Sequence, residues 1–275
     1  MSFKSSYELN KNVQIPNSVL YITLESCRNF NQNIQIPNSV TSTYRMFYSC
    51  YNFNQNIQIP NSVTNTKEMF YYCNAKFNQN IQIPEGVIDA DTMFFTTKMN
   101  VNIKLPNSIT KASTIFAASP FNQNIQIPSS LTNLNAMFQS CKSFNQNIQI
   151  PNTVTVTQRM FVYCGDKINQ NILIPNSVTK AHFMFGLCNK ISNITLQPGI
   201  ANGVFIGAFR INNIQTLNIH TDTTTAINLI NTNCIHQKSI NVDQTWSCIR
   251  PDWETIDNGY HNSYYNVYIY TNAFD

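Results

Sequence analysis

Glycine is scarce in this chain, at 7 of 275 residues. That nearly excludes a glycine-rich phosphate loop, in which several close glycines let backbone amides approach the ligand. Charge is scarce too: 11% of residues are Asp, Glu, Lys or Arg, less than half the ~25% usual in a globular domain. The 13 carboxylates form no evident acid–base pair, and His182, His220, His236 and His261 lie far apart. No Ser or Cys stands in a nucleophile-elbow context. Catalytic residues and cofactor-binding residues are therefore not expected, and the chain is not expected to be an enzyme. A net charge of +4, thinly spread, gives no electrostatic footprint for nucleic acid. No stretch approaches ~18 uninterrupted apolar residues, so no membrane span is expected. The first residues, Met1-Ser2-Phe3-Lys4-Ser5-Ser6-Tyr7-Glu8, contain no apolar stretch, so no cleavable secretion signal is expected there.

What replaces charge is asparagine, at roughly 40 positions, where Leu, Ala and Glu usually lead. Disorder does not follow from that excess, because 43% of the chain is hydrophobic and no long charge run occurs. The asparagines belong to a repeat. Phe-Asn-Gln-Asn-Ile-Gln-Ile-Pro stands at Phe30–Pro37, Phe53–Pro60, Phe77–Pro84, Phe121–Pro128 and Phe144–Pro151. Degenerate copies occupy Met99–Pro106, Ile168–Pro175 and Ile191–Pro198. The prolines at 16, 37, 60, 84, 106, 128, 151, 175 and 198 keep a period near 23 without a gap. Leu217-Asn218-Ile219, 23 residues after Ile194-Thr195-Leu196, reads as a further copy without proline.

Each unit has two apolar centres. Ile-x-Ile, as in Ile34/Ile36, Ile57/Ile59, Ile81/Ile83 and Ile148/Ile150, has the period of a short strand with both isoleucines inward. The proline behind it removes a ladder donor and ends the strand. Met-Phe-x-x-Cys, as in Met46–Cys50, Met69–Cys73, Met137–Cys141, Met160–Cys164 and Met184–Cys188, has the spacing of a single helical or 3₁₀ turn. Neither centre can be buried within one unit, but stacked units turn each position into a continuous column. The expected fold is an α/β repeat solenoid over residues 1–219. It would have about ten 23-residue rungs, a parallel β-sheet and short helical turns.

Two phrases carry a resemblance. Ile-Pro-Asn-Ser-Val-Thr, at Ile36–Thr41, Ile59–Thr64 and Ile174–Thr179, resembles the BspA-like leucine-rich repeat, with Ile in place of Leu. Met-Phe-x-x-Cys-x-x-Phe-Asn-Gln, at Met46–Gln55 and Met137–Gln146, resembles the repeat of bacterial and mycoplasma surface proteins. The resemblance covers about residues 10–219. It implies a leucine-rich-repeat fold and, as the associated role, adhesion.

Beyond the repeat, residues 220–275 change in composition. They hold both tryptophans and a tyrosine cluster, and they are acidic where residues 1–219 are basic. This segment is expected to be a small β-rich module that caps the solenoid or attaches it, with Trp246, Trp253, Tyr264, Tyr265, Tyr268 and Tyr270 as the candidate attachment residues. Tyr264–Thr271 reads as a strand. Cys234, His236, Cys248 and His261 could offer two sulfurs and two nitrogens, but their spacing matches no familiar zinc site. Ordinary packing is the expected role of these four, ahead of a Cys234–Cys248 disulfide, and no metal site is expected. In the repeat, Cys27, Cys50, Cys73, Cys141, Cys164 and Cys188 fall one per rung, with Thr97 and Ser119 in the intervening slots. Buried, unpaired thiols are expected there, since free Cys behaves as a small hydrophobe.

The surface with most to offer is the outward column between the paired isoleucines. Gln35, Gln58, Gln82, Lys104, Gln126, Gln149, Leu173 and Thr195 alternate onto the exposed sheet face. Two readings apply: a polar face that binds protein or glycan through amides, or a ladder in which identical amides bond from rung to rung. Repetition favours the ladder, and Lys104, Leu173 and the unit from Glu85 to Thr97 break the repetition.

The reading that follows is a non-enzymatic structural or attachment protein. It would be a phage or viral particle component, such as a fibre, decoration or tail accessory, that adheres to a host surface and is found in the virion or, before assembly, in host cytoplasm. An intracellular protein-binding or inhibitor module and a secreted adhesin on a bacterial cell surface are the alternatives. Expected partners are proteins, either other structural subunits or a host surface protein, or a glycan. A homo-oligomer through an exposed strand or solenoid end is a further expectation.

Overall fold

The computed structural model describes residues 1–73, 77–165, 168, 171–188, 191, 193–200, 204, 205, 208, 217–222 and 225. It also describes the backbone of 254–256, 259–262 and 267–270. The chain divides into two compact units, Met1–Asn133 and Leu134–Asp275. Each is a stack of rungs.

In the first unit each rung begins with its extended Ile-x-Ile. Ile34, Ile36, Ile57, Ile59, Ile81 and Ile83 are buried, while Gln35, Gln58 and Gln82 between them are exposed. The alternation is as expected, but the backbone pairing is not. Among the described residues of this unit, parallel bridges join Tyr21 to Ser42, Ser42 to Asn65, Asn65 to Asp89 and Asp89 to Lys111. That column lies after the proline turn, not at the isoleucines. Proline cuts the Ile-x-Ile run to three residues and withholds the next amide, whereas the Thr41–Thr43 region has an unbroken series of donors. Thr64 N–H donates to Thr41 O at 3.0 Å, and Thr43 N–H to Asn65 O at 2.9 Å.

Pro-Asn-Ser-Val is a β-turn that also joins rungs. Val40, Val63 and Val87 N–H each donate to the carbonyl of the proline three residues earlier, at 3.0 Å. The serine hydroxyl reaches back to the preceding rung: Ser39 to Val19 O at 2.7 Å, Ser62 to Val40 O at 2.7 Å, Ser108 to Val87 O at 2.6 Å. Serine recurs here because a short hydroxyl can satisfy a carbonyl that the turn leaves unpaired.

The Met-Phe-x-x-Cys segments are not helical turns. From the Met46 rung onward, two non-glycine residues four apart have positive φ: Arg45 (55°) and Ser49 (55°), Glu68 (56°) and Tyr72 (58°), Thr92 (56°) and Thr96 (54°). A right-handed helix excludes that conformation. The segment is instead a run of i→i+3 turns. Met46 N–H donates to Thr43 O (3.0 Å), Tyr48 to Arg45 O (3.2 Å) and Cys50 to Phe47 O (3.1 Å). The intervening amides are left free for the next rung, so Phe47 N–H donates to Met69 O (2.8 Å) and Ser49 N–H to Tyr71 O (2.7 Å). A helix would turn every amide along its own axis. The stacked turns spend only half of them locally. Left-handed non-glycine residues cost about 1–3 kcal/mol each, and cross-rung bonds of about 1 kcal/mol each offset that cost.

Inside, two phenylalanine columns run through the rungs. Phe47 and Phe53 stack at 3.9 Å between centroids, Phe70 and Phe77 at 4.1 Å, Phe116 and Phe121 at 4.0 Å. Along one column, Phe47–Phe70 and Phe70–Phe94 are 5.6 and 5.7 Å apart. Where the repeat has Met99 in place of the second phenylalanine, the methionine is fully buried in that slot. The thiols are buried and free, as expected. They also have a role beyond filling space, since Cys27, Cys50 and Cys73 Sγ–H donate to the carbonyls of Phe3 (2.8 Å), Leu24 (3.1 Å) and Phe47 (3.0 Å). In the two slots without Cys, the Thr97 and Ser119 hydroxyls donate within their own rung, to Phe94 O (2.9 Å) and Phe116 O (2.6 Å).

The second unit repeats these features. Positive φ recurs at Ala136 and Ser140, Arg159 and Tyr163, Phe183 and Leu187. Cys164 and Cys188 donate to Phe138 O (2.9 Å) and Phe161 O (2.7 Å). Here Ile-x-Ile does become a ladder. Strands β1 (Ile172–Ile174), β2 (Asn193–Leu196), β3 (Leu217–His220), β4 (Glu254–Ile256), β5 (Gly259–Asn262) and β6 (Val267–Tyr270) form one sheet, in the order β1-β2-β3-β6-β5-β4. The pairs β1–β2, β2–β3 and β3–β6 are parallel; β4–β5 and β5–β6 are antiparallel. Ile172, Ile194, Ile219 and Ile269 fall in register. The sequence period would pair Ile194 with Leu217, but Ile194 pairs with Ile219, a slip of two residues. Because side chains alternate with period two, the slip keeps the same residues on the inner face. The strand expected at Tyr264–Thr271 is β6, and it joins the sheet of the repeat directly through β3.

Two outcomes are expected. Phe70→Ala should lower unfolding free energy by about 3–5 kcal/mol, and Phe77→Met by less than about 1.5 kcal/mol, since methionine already fills the equivalent slot at Met99; denaturant titration checks both. Cys27, Cys50, Cys73, Cys141, Cys164 and Cys188 should react with a thiol reagent only after unfolding, without added reductant.

Candidate binding groove

Part of the first unit's outward column lines a groove of about 970 Å³. Three successive rungs contribute Asn56 and Gln58, Asn80 and Gln82, and Asn102 and Lys104. Ile-x-Ile places these side chains outward because the flanking isoleucines are held in the core. Pro60 and Pro84 stand at the ends of the segments and Asn61 just beyond one of them. At the Lys104 rung the groove carries charge. Lys104 Nζ lies 3.0 Å from Glu85 Oε1, with the two side chains 83% and 58% exposed. Glu85 Oε2 accepts the Asn107 N–H at 3.1 Å. The Lys104 hydrogen bond, and then the Asn107 amide, hold the Glu85 carboxyl below its usual range. An exposed pair of this kind contributes little to stability.

The two readings of the amide-rich surface separate at this point, because they belong to different residues. Among the described residues, Gln35, Gln58 and Gln82 have no side-chain hydrogen bond to the protein. The rung-to-rung amide ladder exists, but it runs through Phe-Asn-Gln. Asn31 Oδ1 accepts from Asn54 N–H (2.9 Å) and Gln55 Nε2 (3.0 Å) of the next rung. Asn54 Oδ1 accepts from Asn78 N–H (3.3 Å) and Gln79 Nε2 (3.0 Å). Asn10 and Asn100 repeat the motif. The sequence shows both amide columns with the same period, and only the geometry tells the structural one from the free one.

The predicted column is divided between the two units. Gln58, Gln82 and Lys104 line the groove. Gln35 and Gln126 are exposed in the same unit outside its lining. Gln149, Leu173 and Thr195 belong to the second unit, where Gln149 is exposed, Leu173 is 44% exposed and Thr195 is half-buried, its hydroxyl donating to Asn171 Oδ1 at 3.1 Å. Glu85 and Asn61 are lining residues absent from that column; the signals for them were the broken repeat at Glu85 and the recurring asparagine after proline. Of the tyrosine and tryptophan set, Tyr268 and Tyr270 lie on β6, while Trp246, Trp253, Tyr264 and Tyr265 lie outside the described residues, as do Cys234, His236 and Cys248. His261 lies on β5.

The thiol columns do not offer nucleophiles. Burial pushes the Cys50, Cys73 and Cys164 thiols well up from their ordinary value, and Cys188 up to about 12, so the reactive thiolate is disfavoured. No group of three or more potential metal ligands occurs among the described residues.

With this geometry in hand, known proteins supply a frame. The family model described as "Mycoplasma protein of unknown function, DUF285" matches residues 10–105 and 88–197. A crystal structure of a leucine-rich repeat protein from Bacteroides ovatus is similar over 80% of this chain and 57% of its own, at 24% identity and a TM-score of 0.61. A leucine rich cell surface protein from Faecalibacterium prausnitzii covers 65% of this chain and 63% of its own, at 22% identity and a TM-score of 0.43. The chain thus spans less than two thirds of the length of either. No curated protein matches it. The Bacteroides structure establishes a leucine-rich-repeat solenoid as the fold.

The separation of the two amide columns has a measurable consequence. Asn54→Ala removes the acceptor for two cross-rung bonds and should cost about 1–3 kcal/mol, whereas Gln58→Ala should change stability by less than about 0.5 kcal/mol; unfolding midpoints in urea distinguish them.

Proposed function

Because this chain belongs to the DUF285 family, we propose that it is a non-catalytic leucine-rich-repeat protein of a bacterial cell surface, one that attaches to its ligand through the groove between Asn56 and Lys104. The observation that carries the reading is the set of exposed amides without protein partners in a groove of about 970 Å³. Amides left unsatisfied by the fold can take hydrogen bonds from a ligand at no cost to the fold. The surface location draws on the likeness of the Ile-Pro-Asn-Ser-Val-Thr and Met-Phe-x-x-Cys phrases to repeats of bacterial and mycoplasma surface proteins. The expectation of a phage or viral particle component finds no support among the matches, and neither does that of an intracellular inhibitor.

Residues 220–275 have a place in this reading as the cap of the repeat sheet. Parallel pairing of β6 with β3 puts the β4–β5–β6 meander against the last strand of the repeat, where a solenoid needs its apolar face covered.

Protease treatment of intact source cells tests the location, with peptides of this chain expected in the released fraction; their appearance only after lysis would overturn it. For the groove, the full chain is passed over a panel of immobilised soluble proteins and glycans. Gln58→Glu with Gln82→Glu, which places two like charges in the groove, should weaken any retention at least about tenfold, equivalent to about 1.4 kcal/mol, with unchanged thermal unfolding. Retention unaffected by the pair would remove the groove from the account.

A further inference from the structure

The charge, chemistry and spacing of the groove together define the class of ligand, an inference that rests on the groove reading above. We infer that the groove binds a neutral, extended, β-linked polysaccharide lying along the stack, one sugar to each rung.

Charge is the first observation. Glu85 and Lys104 are the charged residues of the lining, and they neutralise one another at 3.0 Å. A charged polymer therefore meets no field to draw it in. The second is chemical. The outward groups on the three rungs are amides, with Lys104 in one position. Each amide donates and accepts, which matches the hydroxyls of a sugar, themselves donors and acceptors. The lining holds no aromatic residue, whereas a protein partner draws most of its binding energy from aromatic and arginine anchors seated in pockets. Pro60, half-buried in the lining, supplies apolar surface against which the carbon face of a sugar can rest.

Spacing is the third observation. The rise from rung to rung is set by the parallel bridges that join Ser42, Asn65, Asp89 and Lys111, about 4.8 Å apart as in any parallel pair. Tyr48–Tyr71 and Tyr71–Phe95 stack at 4.8 Å, the inner Phe47–Phe70 and Phe70–Phe94 pairs at 5.6 and 5.7 Å. Same-face residues of an extended peptide recur at about 6.6 Å, so a peptide along the axis loses register within two rungs. A chain of β-linked pyranoses advances by close to one rung per sugar. The Asn56/Gln58, Asn80/Gln82 and Asn102/Lys104 pairs can then meet three consecutive sugars, whose two hydroxyl-bearing edges alternate along the chain; the amides, donors and acceptors at once, suit either edge. The arrangement binds by repetition, each rung adding a small and similar increment.

The test uses the full chain with ¹⁵N-labelled side-chain amides, titrated with cellohexaose as a neutral β-linked probe. Dextran serves as the α-linked control and hyaluronan as the charged one. Cellohexaose is expected to shift the Gln58 and Gln82 side-chain resonances. Gln58→Ala and Gln82→Ala should each weaken binding about fivefold, the loss of one net hydrogen bond, while the Leu173→Ala variant in the other unit leaves it unchanged. Equal shifts from dextran or hyaluronan would overturn the assignment of a neutral β-linked chain. No shift from cellohexaose, combined with retention on an immobilised protein that Gln58→Ala abolishes, would overturn the polysaccharide while sparing the groove. If no ligand of any class responds to Gln58 and Gln82, both readings fall together.

Discussion

Everything in this molecule depends on register between successive rungs. A 23-residue unit has too little apolar surface to bury its own isoleucines and phenylalanines, so each rung is completed by the one beside it. The cross-rung bonds fix the register. Turn amides such as Phe47 N–H reach Met69 O, serine hydroxyls such as Ser62 reach Val40 O, thiols such as Cys50 reach Leu24 O, and Asn54 gathers two donors from the next rung. Four positions of the repeat are thus occupied by groups whose partner lies one rung away. That is why the repeat is so nearly uniform. A change at any of them disturbs two rungs.

The same constraint accounts for the local strain. Left-handed residues at two positions of each Met-Phe-x-x-Cys turn, such as Arg45 and Ser49, are unfavourable in isolation, and they belong to the turns that send every second amide to the neighbouring rung. The strain and the ladder are two sides of one arrangement. Stability is therefore cooperative along the stack, while Gln35, Gln58 and Gln82 on the outward face make no side-chain hydrogen bond to the described residues of the fold. Gln58 and Gln82 are left free of the fold because Asn31, Asn54 and their equivalents already hold the rungs together.

The period, the inward positions and the buried thiol column were legible in the amino-acid sequence, because stacking repeats them in one dimension. Other features were not. The turns could not be told from short helices, since their left-handed positions carry Arg45, Ser49, Glu68 and Tyr72 instead of the glycine that would mark them. The amide ladder could not be told from the free amide column, as both recur with the same period. The two-residue slip that sets Ile194 against Ile219 is invisible to a count of spacing, because it preserves the inward face. The joining of β6 to β3 depends on a contact between segments far apart in sequence, which local pattern does not record.

Side-chain amide hydrogen exchange, resolved residue by residue, tests the division of labour between the two glutamine columns most directly. Gln55 and Gln79 donate to Asn31 and Asn54 of the preceding rungs, so their Nε2 protons should exchange slowly. Gln58 and Gln82, without protein partners, should exchange at the rate of a free glutamine. Equal protection of all four would contradict the account, for it would mean that the groove amides belong to the ladder and are not available to a ligand.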